Sequence, residues 1–154
     1  MELSKDALEF IRLLNQKKVE YLIVGGWAVA IHGKPRYTKD IDIFISRSPQ
    51  NAEAILVLLK EFGFESLDLN RDDFMTPHRI VQLGVEPNRI DLLTSISAVD
   101  FDEAYKNKVL VECDGEMLNF INVDDLIKNK KATGRDQDLI DIKVIESKAN
   151  KRKS

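Results

Sequence analysis

The sequence predicts an α/β protein of the α+β kind, in which flanking helices pack on one mixed β-sheet. This class follows from two observations. Helical and strand-like segments alternate along the 154 residues without strict βαβ order, and glycine or proline marks many of their ends. Hydrophobic residues make up 44% of the chain and charged residues 32%, a composition typical of one compact domain with a substantial core.

The first half of the chain contains helices and strands in turn. Residues 3–18 repeat apolar side chains at helical spacing, with Ser4 as the predicted N-cap. The elements predicted after this helix are a buried strand over 19–24, a short helix over 27–33 closed by Gly33, a strand over 40–46 and a helix over 48–63.

The second half is richer in strands. Residues 65 to 77 are polar and are predicted to be irregular. The elements predicted after them are strands over 78–84 and 88–94 joined across Glu86 and Pro87, a hairpin over 109–121 with Asp114-Gly115 in its turn, and helices over 122–134 and 135–147 broken near Gly134. We expect residues 1–147 to form a single domain and residues 148–154 to form a basic flexible tail.

Charge and cysteine content narrow the class of protein. The net charge of −3 and the pI of about 5.5 exclude general electrostatic attraction to nucleic acid, so such a contact needs a local basic patch. Cys113 is the single cysteine, which excludes an internal disulfide and favours a cytoplasmic location. We expect no membrane association, because no apolar run approaches the roughly 20 residues of a membrane span and the first residues do not resemble a signal peptide.

The strand over 40–46 carries aspartates on one face. Strand alternation places Asp40 and Asp42 on one side and three isoleucines on the other, which belongs to the core. Two carboxylates this close repel each other unless a cation lies between them, and Mg²⁺ takes oxygen ligands of this kind. Asp91 offers a third carboxylate from a neighbouring strand, and such a set can hold two metal ions for in-line phosphoryl or nucleotidyl displacement. An ordinary strand with a solvated face is the alternative.

Gly25 and Gly26 stand where the first strand runs into a helix. Backbone N–H groups at a helix N-terminus bind phosphate, and glycine lets a phosphate approach them closely. A tight turn that needs only glycine's dihedral freedom is the alternative. Because a metal-binding strand follows one short helix later, the pair predicts nucleotide chemistry.

These motifs match a known family. The stretch "VGGWAVAIHG…R.TKDIDIFI" resembles the nucleotidyltransferase superfamily that includes DNA polymerase beta. Together with "VQLGVEPNRIDLLTSISAVDF" and "DLIKNKKATGRDQDLIDI", it resembles more narrowly the small bacterial abortive-infection nucleotidyltransferase domains, the AbiEii-type toxins. The resemblance covers residues 20–146 and implies a minimal nucleotidyltransferase fold.

The resemblance also implies a role for each matching residue. The glycine pair and two cations would hold the nucleotide, and three aspartates would bind Mg²⁺ or Mn²⁺ and act in catalysis, the last of them helping to deprotonate the acceptor hydroxyl. The nucleotide-binding set is Gly25, Gly26, Lys130 and Arg135, and the catalytic and metal-binding set is Asp40, Asp42 and Asp91.

Other residues carry open alternatives or depart from the family pattern. Gly26 stands where polymerase-like members usually have serine, and Gln137 stands where a lysine is expected. The basic cluster over 128–135 would meet an RNA backbone or form a solvated helix face, in which Asp138 and Asp141 pair with its cations. Trp27 would stack on a base or, as the more ordinary alternative, belong to the core.

The sequence therefore predicts a metal-dependent nucleotidyltransferase that moves an NMP from an NTP to an acceptor hydroxyl on an RNA end, a protein or a small molecule. A toxin-type or defence role with a cognate partner protein comes from the resemblance alone. One alternative is a non-catalytic nucleotide- or partner-binding module of the same fold, such as a toxin–antitoxin component. Another is a structural domain stabilised by metal, whose melting temperature would not rise further with nucleotide.

Overall fold

The computed structural model describes residues 3–35, 38, 40–64, 68–85 and 87–153. Within these ranges, six strands form one mixed sheet with helices packed on it, which confirms the predicted fold class. In chain order the elements are α1 (Lys5–Gln16), β1 (Tyr21–Val24), α2 (Gly25–His32), β2 (Ile41–Ile45), α3 (Pro49–Glu61), α4 (Arg71–Met75), β3 (Ile80–Leu83), β4 (Ile90–Leu93), α5 (Phe101–Lys106), β5 (Val109–Cys113), β6 (Glu116–Phe120), α6 (Val123–Thr133) and α7 (Asp136–Lys153).

The order of strands in the sheet is β3-β4-β2-β1-β6-β5. Strand β2 pairs antiparallel with β1 and parallel with β4, while β1 also pairs parallel with β6. The antiparallel partners β3 and β5 close the two edges of the sheet. This order places β2 and β4 side by side, although nearly fifty residues of chain separate their aspartates.

Local capping signals fix several element ends as the sequence predicts. The Ser4 hydroxyl accepts a hydrogen bond from the N–H of Ala7 at the start of α1, and the Ser48 hydroxyl does the same for Asn51 at the start of α3. Gly134 ends α6 in the left-handed region, with a φ of 63°. The hairpin of β5 and β6 turns at Asp114-Gly115 as predicted.

The structure differs from the prediction in three places. Helix α4 lies within the segment predicted to be irregular, held by a capping box between Asn70 and Asp73, and α5 lies in a segment for which no element was predicted. Residues 65–67 and Glu86, which the prediction assigned to irregular structure and a strand connection, lie outside the described residues. Helix α7 continues through Lys153, past residue 147, and the ammonium of Lys148 donates to the carbonyl of Ile31 at 3.1 Å.

The core lies around the central strands. All four residues of β1 are buried, and so are the three isoleucines of β2. Trp27 is partly buried against this core and lines an apolar cavity of about 240 Å³ with Leu3 and Pro35, which supports its interpretation as a packing residue. Among the described residues, no helix is both long and apolar enough to cross a membrane.

Candidate active site

Strand pairing brings the predicted aspartates together. Asp42 and Asp91 occupy partner positions in the parallel pair of β2 and β4, so their side chains lie on the same face of the sheet. Asp40 comes two residues earlier, just before β2, and lies within reach of the same face. The structure therefore places Asp40, Asp42 and Asp91 in one cluster.

The three aspartates of this cluster carry negative charge that the neighbouring arginine offsets only in part. Burial, followed by the charges of Asp91 and Asp40, raises the pKa of the Asp42 carboxyl to about 6, and the positive charge of Arg89 only partly opposes this. Asp91 is itself 93% shielded from solvent, with 7% of its surface exposed. A cation placed beside Asp42 would relieve this repulsion.

Gly25 lies directly against the cluster. Its φ of +65° falls in the left-handed region, and a Cβ atom added there would overlap the carboxylate of Asp42. The first glycine of the pair is thus required both by the turn into α2 and by the close approach of Asp42. The N-terminus of α2 consequently opens beside the three aspartates, with Gly26 on the wall of the same cleft.

Arg89 is the site residue that sequence analysis missed. Its guanidinium forms a bidentate ion pair with Asp91, in which Nε lies 2.8 Å from Oδ1 and Nη2 lies 3.1 Å from Oδ2. The same Nη2 lies 2.8 Å from Oδ2 of Asp40. The sequence contained one signal for Arg89, because strand alternation puts residues 89 and 91 on the same face. Its contact with Asp40, however, depends on the pairing of β2 with β4.

The two cations predicted to bind nucleotide differ in their surroundings. Lys130 is 5% exposed, and its ammonium lies 3.0 Å from both Asp138 Oδ1 and Asp141 Oδ2. Arg135 pairs with Asp138 at 2.8 Å, but its side chain is 73% exposed beside the aspartate cluster. Gln137 donates to Asp141 at 2.9 Å. Lys130 therefore joins α6 to α7, whereas Arg135 has a guanidinium that a ligand can reach.

This ion-pair cluster has its own electrostatic signature. Burial raises the pKa of the Asp138 carboxyl. Hydrogen bonds from Arg135, Thr133 and Lys130 lower the pKa by more than burial raises it, so the folded pKa lies well below the ordinary value. The predicted pairing of Asp138 with neighbouring cations is thus present, and the cluster fixes one wall of the site.

Two clefts meet at the aspartates. A cleft of about 430 Å³ contains Gly25, Gly26 and Arg89, and a cleft of about 880 Å³ contains His78, Arg79 and Ser95. The residues that line both clefts are Gly25, Asp42, Asp91, Lys130 and Arg135. A ligand in either cleft would thus contact the same carboxylates, as a reaction between two substrates requires.

The three carboxylates suit a divalent metal ion, but the contacts of Arg89 oppose its binding. Three carboxylates supply the oxygen ligands that Mg²⁺ and Mn²⁺ take, and burial together with the charges of Asp91 and Asp40 raises the pKa of Asp42. Yet no group of three or more acidic, histidine or cysteine side chains within the described ranges is already arranged to hold a metal ion. Arg89 contacts both Asp40 and Asp91 instead, so the metal-binding role of the three aspartates stays a prediction.

The sequence itself decides the family. Residues 2–148 match the family described as nucleotidyltransferase of unknown function (DUF6036). The chain belongs to this nucleotidyltransferase family. The predicted superfamily and the predicted enzyme class are thereby confirmed, while the narrower AbiEii-type assignment stays a prediction. A search of curated proteins found no match to the chain.

Solved structures of nucleotidyltransferases share the fold. The lincosamide antibiotic adenylyltransferase LnuA, bound to lincomycin, superposes with a TM-score of 0.60 at 16% identity over 96% of this chain and 99% of that one. ANT(2")-Ia in complex with adenylyl-2"-tobramycin gives a TM-score of 0.57 at 11% identity over 97% and 91%. An antigenic nucleotidyltransferase-like protein from Paracoccidioides brasiliensis gives 0.55 at 14% identity over 96% and 78%. At these identities the likeness establishes the fold.

Proposed function

We propose that this chain is a metal-dependent nucleotidyltransferase that moves an NMP from an NTP to an acceptor hydroxyl. The observation that carries this function is the position of three aspartates beside the N-terminus of α2, at the junction of two clefts. The smaller cleft suits the triphosphate, because it combines Gly25, Gly26 and the exposed guanidinium of Arg135. The larger cleft then receives the acceptor.

Each residue has a defined part in the reaction. Asp40, Asp42 and Asp91 would hold Mg²⁺ or Mn²⁺, whose charge would offset that of the triphosphate. Gly25 and Gly26 orient the phosphates through the backbone at the start of α2, and Arg135 counters their charge. The acceptor oxygen bonds to the α-phosphorus, the bond from that phosphorus to the bridging oxygen breaks, and pyrophosphate leaves. Asp91 takes up the proton of the acceptor hydroxyl.

The charge of the larger cleft bears on the acceptor. Its wall carries the cations Arg79, Lys130 and Arg135 together with His78, and its acidic lining residues are two of the three clustered aspartates, Asp42 and Asp91. Both kinds of charge line this cleft, and Arg79 and Arg135 are already paired with Asp73 and Asp138, so an RNA end is one candidate acceptor. Protein and small-molecule hydroxyls complete the set of candidate acceptors.

Two further proposals concern biological context. A toxin-type or defence role with a cognate partner protein, and a cytoplasmic location, follow from the AbiEii resemblance and the single cysteine. The second candidate function is a non-catalytic module that binds nucleotide or a partner protein. It is supported by Arg89, whose guanidinium contacts both oxygens of Asp91 and so competes for the carboxylate that the catalytic role requires.

A label-transfer experiment tests the proposed activity. The protein is incubated with each α-labelled NTP, with Mg²⁺ or Mn²⁺, and with a cell extract that contains RNA, protein and small molecules. We expect label in one of these fractions with the wild type and with Asp6→Asn, an exposed carboxylate on α1, but none with the isosteric Asp42→Asn. Metal-dependent NTP binding without transfer would support the non-catalytic module, and loss of both would contradict the proposed function.

A further inference from the structure

Arg89 occupies the position of a counter-ion between two of the proposed metal ligands. Its guanidinium makes three close contacts with carboxylate oxygens, two to Asp91 and one to Asp40, at 2.8 to 3.1 Å. The side chain is 25% exposed, so these ion pairs are largely shielded from water yet open to the smaller cleft. The contacts thus join Asp40, which precedes β2, to Asp91 on β4.

A divalent cation that uses Asp40 and Asp91 needs the same oxygens as Arg89. Each of the two Asp91 oxygens already accepts from the guanidinium, and two cations in this small space repel each other. Arg89 and metal are therefore competitors for Asp91 and for Oδ2 of Asp40.

The smaller cleft also offers Arg89 a second position. Arg89 lines it with Gly25 and Gly26, where the proposed function places the triphosphate. A guanidinium binds phosphate oxygens in the same bidentate manner as a carboxylate, so a bound triphosphate would offer Arg89 equivalent partners in the cleft that it already faces. The exchange would free Asp91 and Asp40 at the moment when the nucleotide brings further oxygen ligands for a metal.

We propose that Arg89 exchanges its carboxylate partners for the phosphates of the incoming nucleotide, so that metal binding at Asp40 and Asp91 is coupled to nucleotide binding. This inference rests on the proposed function and adds to it a residue that determines the order of binding. The coupling is reciprocal, because each ligand removes a competitor of the other. The alternative is that Arg89 stays with Asp91 in every state as a structural ion pair.

The binding of Mn²⁺, measured by electron paramagnetic resonance with and without α,β-methylene-ATP, distinguishes the proposed exchange from a permanent structural ion pair. In the wild type we expect weak Mn²⁺ binding that becomes at least tenfold tighter with the nucleotide analogue. Arg89→Met removes the competitor, so Mn²⁺ alone should bind about tenfold more tightly and the analogue should change its affinity less than threefold. Arg12→Met is the matched control, because Arg12 also contacts two carboxylates, those of Glu9 and Glu116, but lines neither cleft. It should behave like the wild type.

The outcomes that overturn the inference are distinct from those that overturn the proposed function. Unchanged Mn²⁺ affinity and unchanged coupling in Arg89→Met overturn the inference alone. Absence of Mn²⁺ and nucleotide binding in every variant, Arg89→Met included, overturns both. Arg89→Lys keeps the charge but loses the bidentate geometry, so its Mn²⁺ affinity should lie between those of the wild type and Arg89→Met. If circular dichroism shows that Arg89→Met is unfolded, Arg89→Lys provides the test instead. A Mn²⁺ affinity of Arg89→Lys equal to that of the wild type then overturns the inference.

Discussion

Asp42 and Asp91 are partner residues in the parallel pair of β2 and β4, which places two carboxylates side by side on one face of the sheet. Such a pair destabilises the folded chain unless a cation or a proton accompanies it. Arg89 supplies one positive charge, yet the pKa of Asp42 still rises to about 6. The charge of Asp42 should therefore lower the free energy of unfolding at neutral pH.

Asp42→Asn should stabilise the metal-free protein at neutral pH. The folded pKa of about 6 lies above the ordinary value of 3.8 for an aspartate, so the contribution of Asp42 to stability is lost as the pH rises from about 4 through 6. Asparagine is neutral throughout and should restore roughly 2 to 3 kcal/mol of unfolding free energy at pH 8. Urea denaturation in EDTA at pH 8 and pH 5 measures this, and the gain should shrink at the lower pH. A variant less stable than the wild type at pH 8 would contradict the prediction.

Gly25→Ala should damage both the fold and the site. A Cβ at this position overlaps the Asp42 carboxylate, and the φ of +65° adds backbone strain. Gly115→Ala is the matched control, because its φ is +85° but nothing lies within 4 Å of the added atom. We expect Gly115→Ala to cost about 1 kcal/mol and Gly25→Ala about 1 to 3 kcal/mol more, measured by denaturation. Equal losses in the two variants would show that strain alone matters at Gly25.

Lys130 and Arg135 should respond differently to replacement by methionine. Lys130→Met leaves Asp138 and Asp141 buried without the ammonium that joins them, so the unfolding free energy should fall by about 3 to 5 kcal/mol. Arg135 is mostly exposed, so Arg135→Met should cost less than about 1 kcal/mol. Its effect should appear instead as at least threefold weaker NTP binding by calorimetry. Unchanged NTP affinity would argue against the predicted role of Arg135.

The ion-pair cluster of α6 and α7 should make the protein sensitive to acid. The folded pKa of Asp138 lies well below its ordinary value, so its contribution to stability is present above about pH 4 and is lost as the pH falls towards the folded pKa. Asp138→Asn should therefore cost about 3 kcal/mol at pH 7 and clearly less at pH 3, measured by urea denaturation. A cost independent of pH would attribute the loss to packing rather than to charge.

Short-range signals explain which parts of the fold the sequence predicts. The hydroxyls of Ser4 and Ser48, the turn at Asp114-Gly115 and the left-handed Gly134 each act within a few residues, so the pattern of the chain reveals them. Helices of the length of α4 and α5 are too short for an apolar period to appear, and they were missed although cap residues precede both.

Long-range contacts explain what the sequence could not supply about the site. The aspartate alternation indicates which residues share a face, but the contact of Arg89 with Asp40 arises only because β2 and β4 become neighbours in the sheet. Likewise, "NKKATGR" reads as an exposed basic stretch, whereas Lys130 is buried because α7 brings Asp138 and Asp141 against it. The sequence therefore shows which of these side chains are charged, but it does not show which of them the fold buries.

The wide spacing of the site along the chain has a consequence during translation. Gly25, Asp40 and Asp42 leave the ribosome before Asp91, and the α6–α7 pair follows later still. Pairing of β2 with β4 is a non-local contact that forms only after the intervening segment has been synthesised. A nascent chain thus carries the glycine turn and two aspartates without the opposite wall, so the proposed nucleotide-binding cleft is complete only once the chain has been made as far as Asp141.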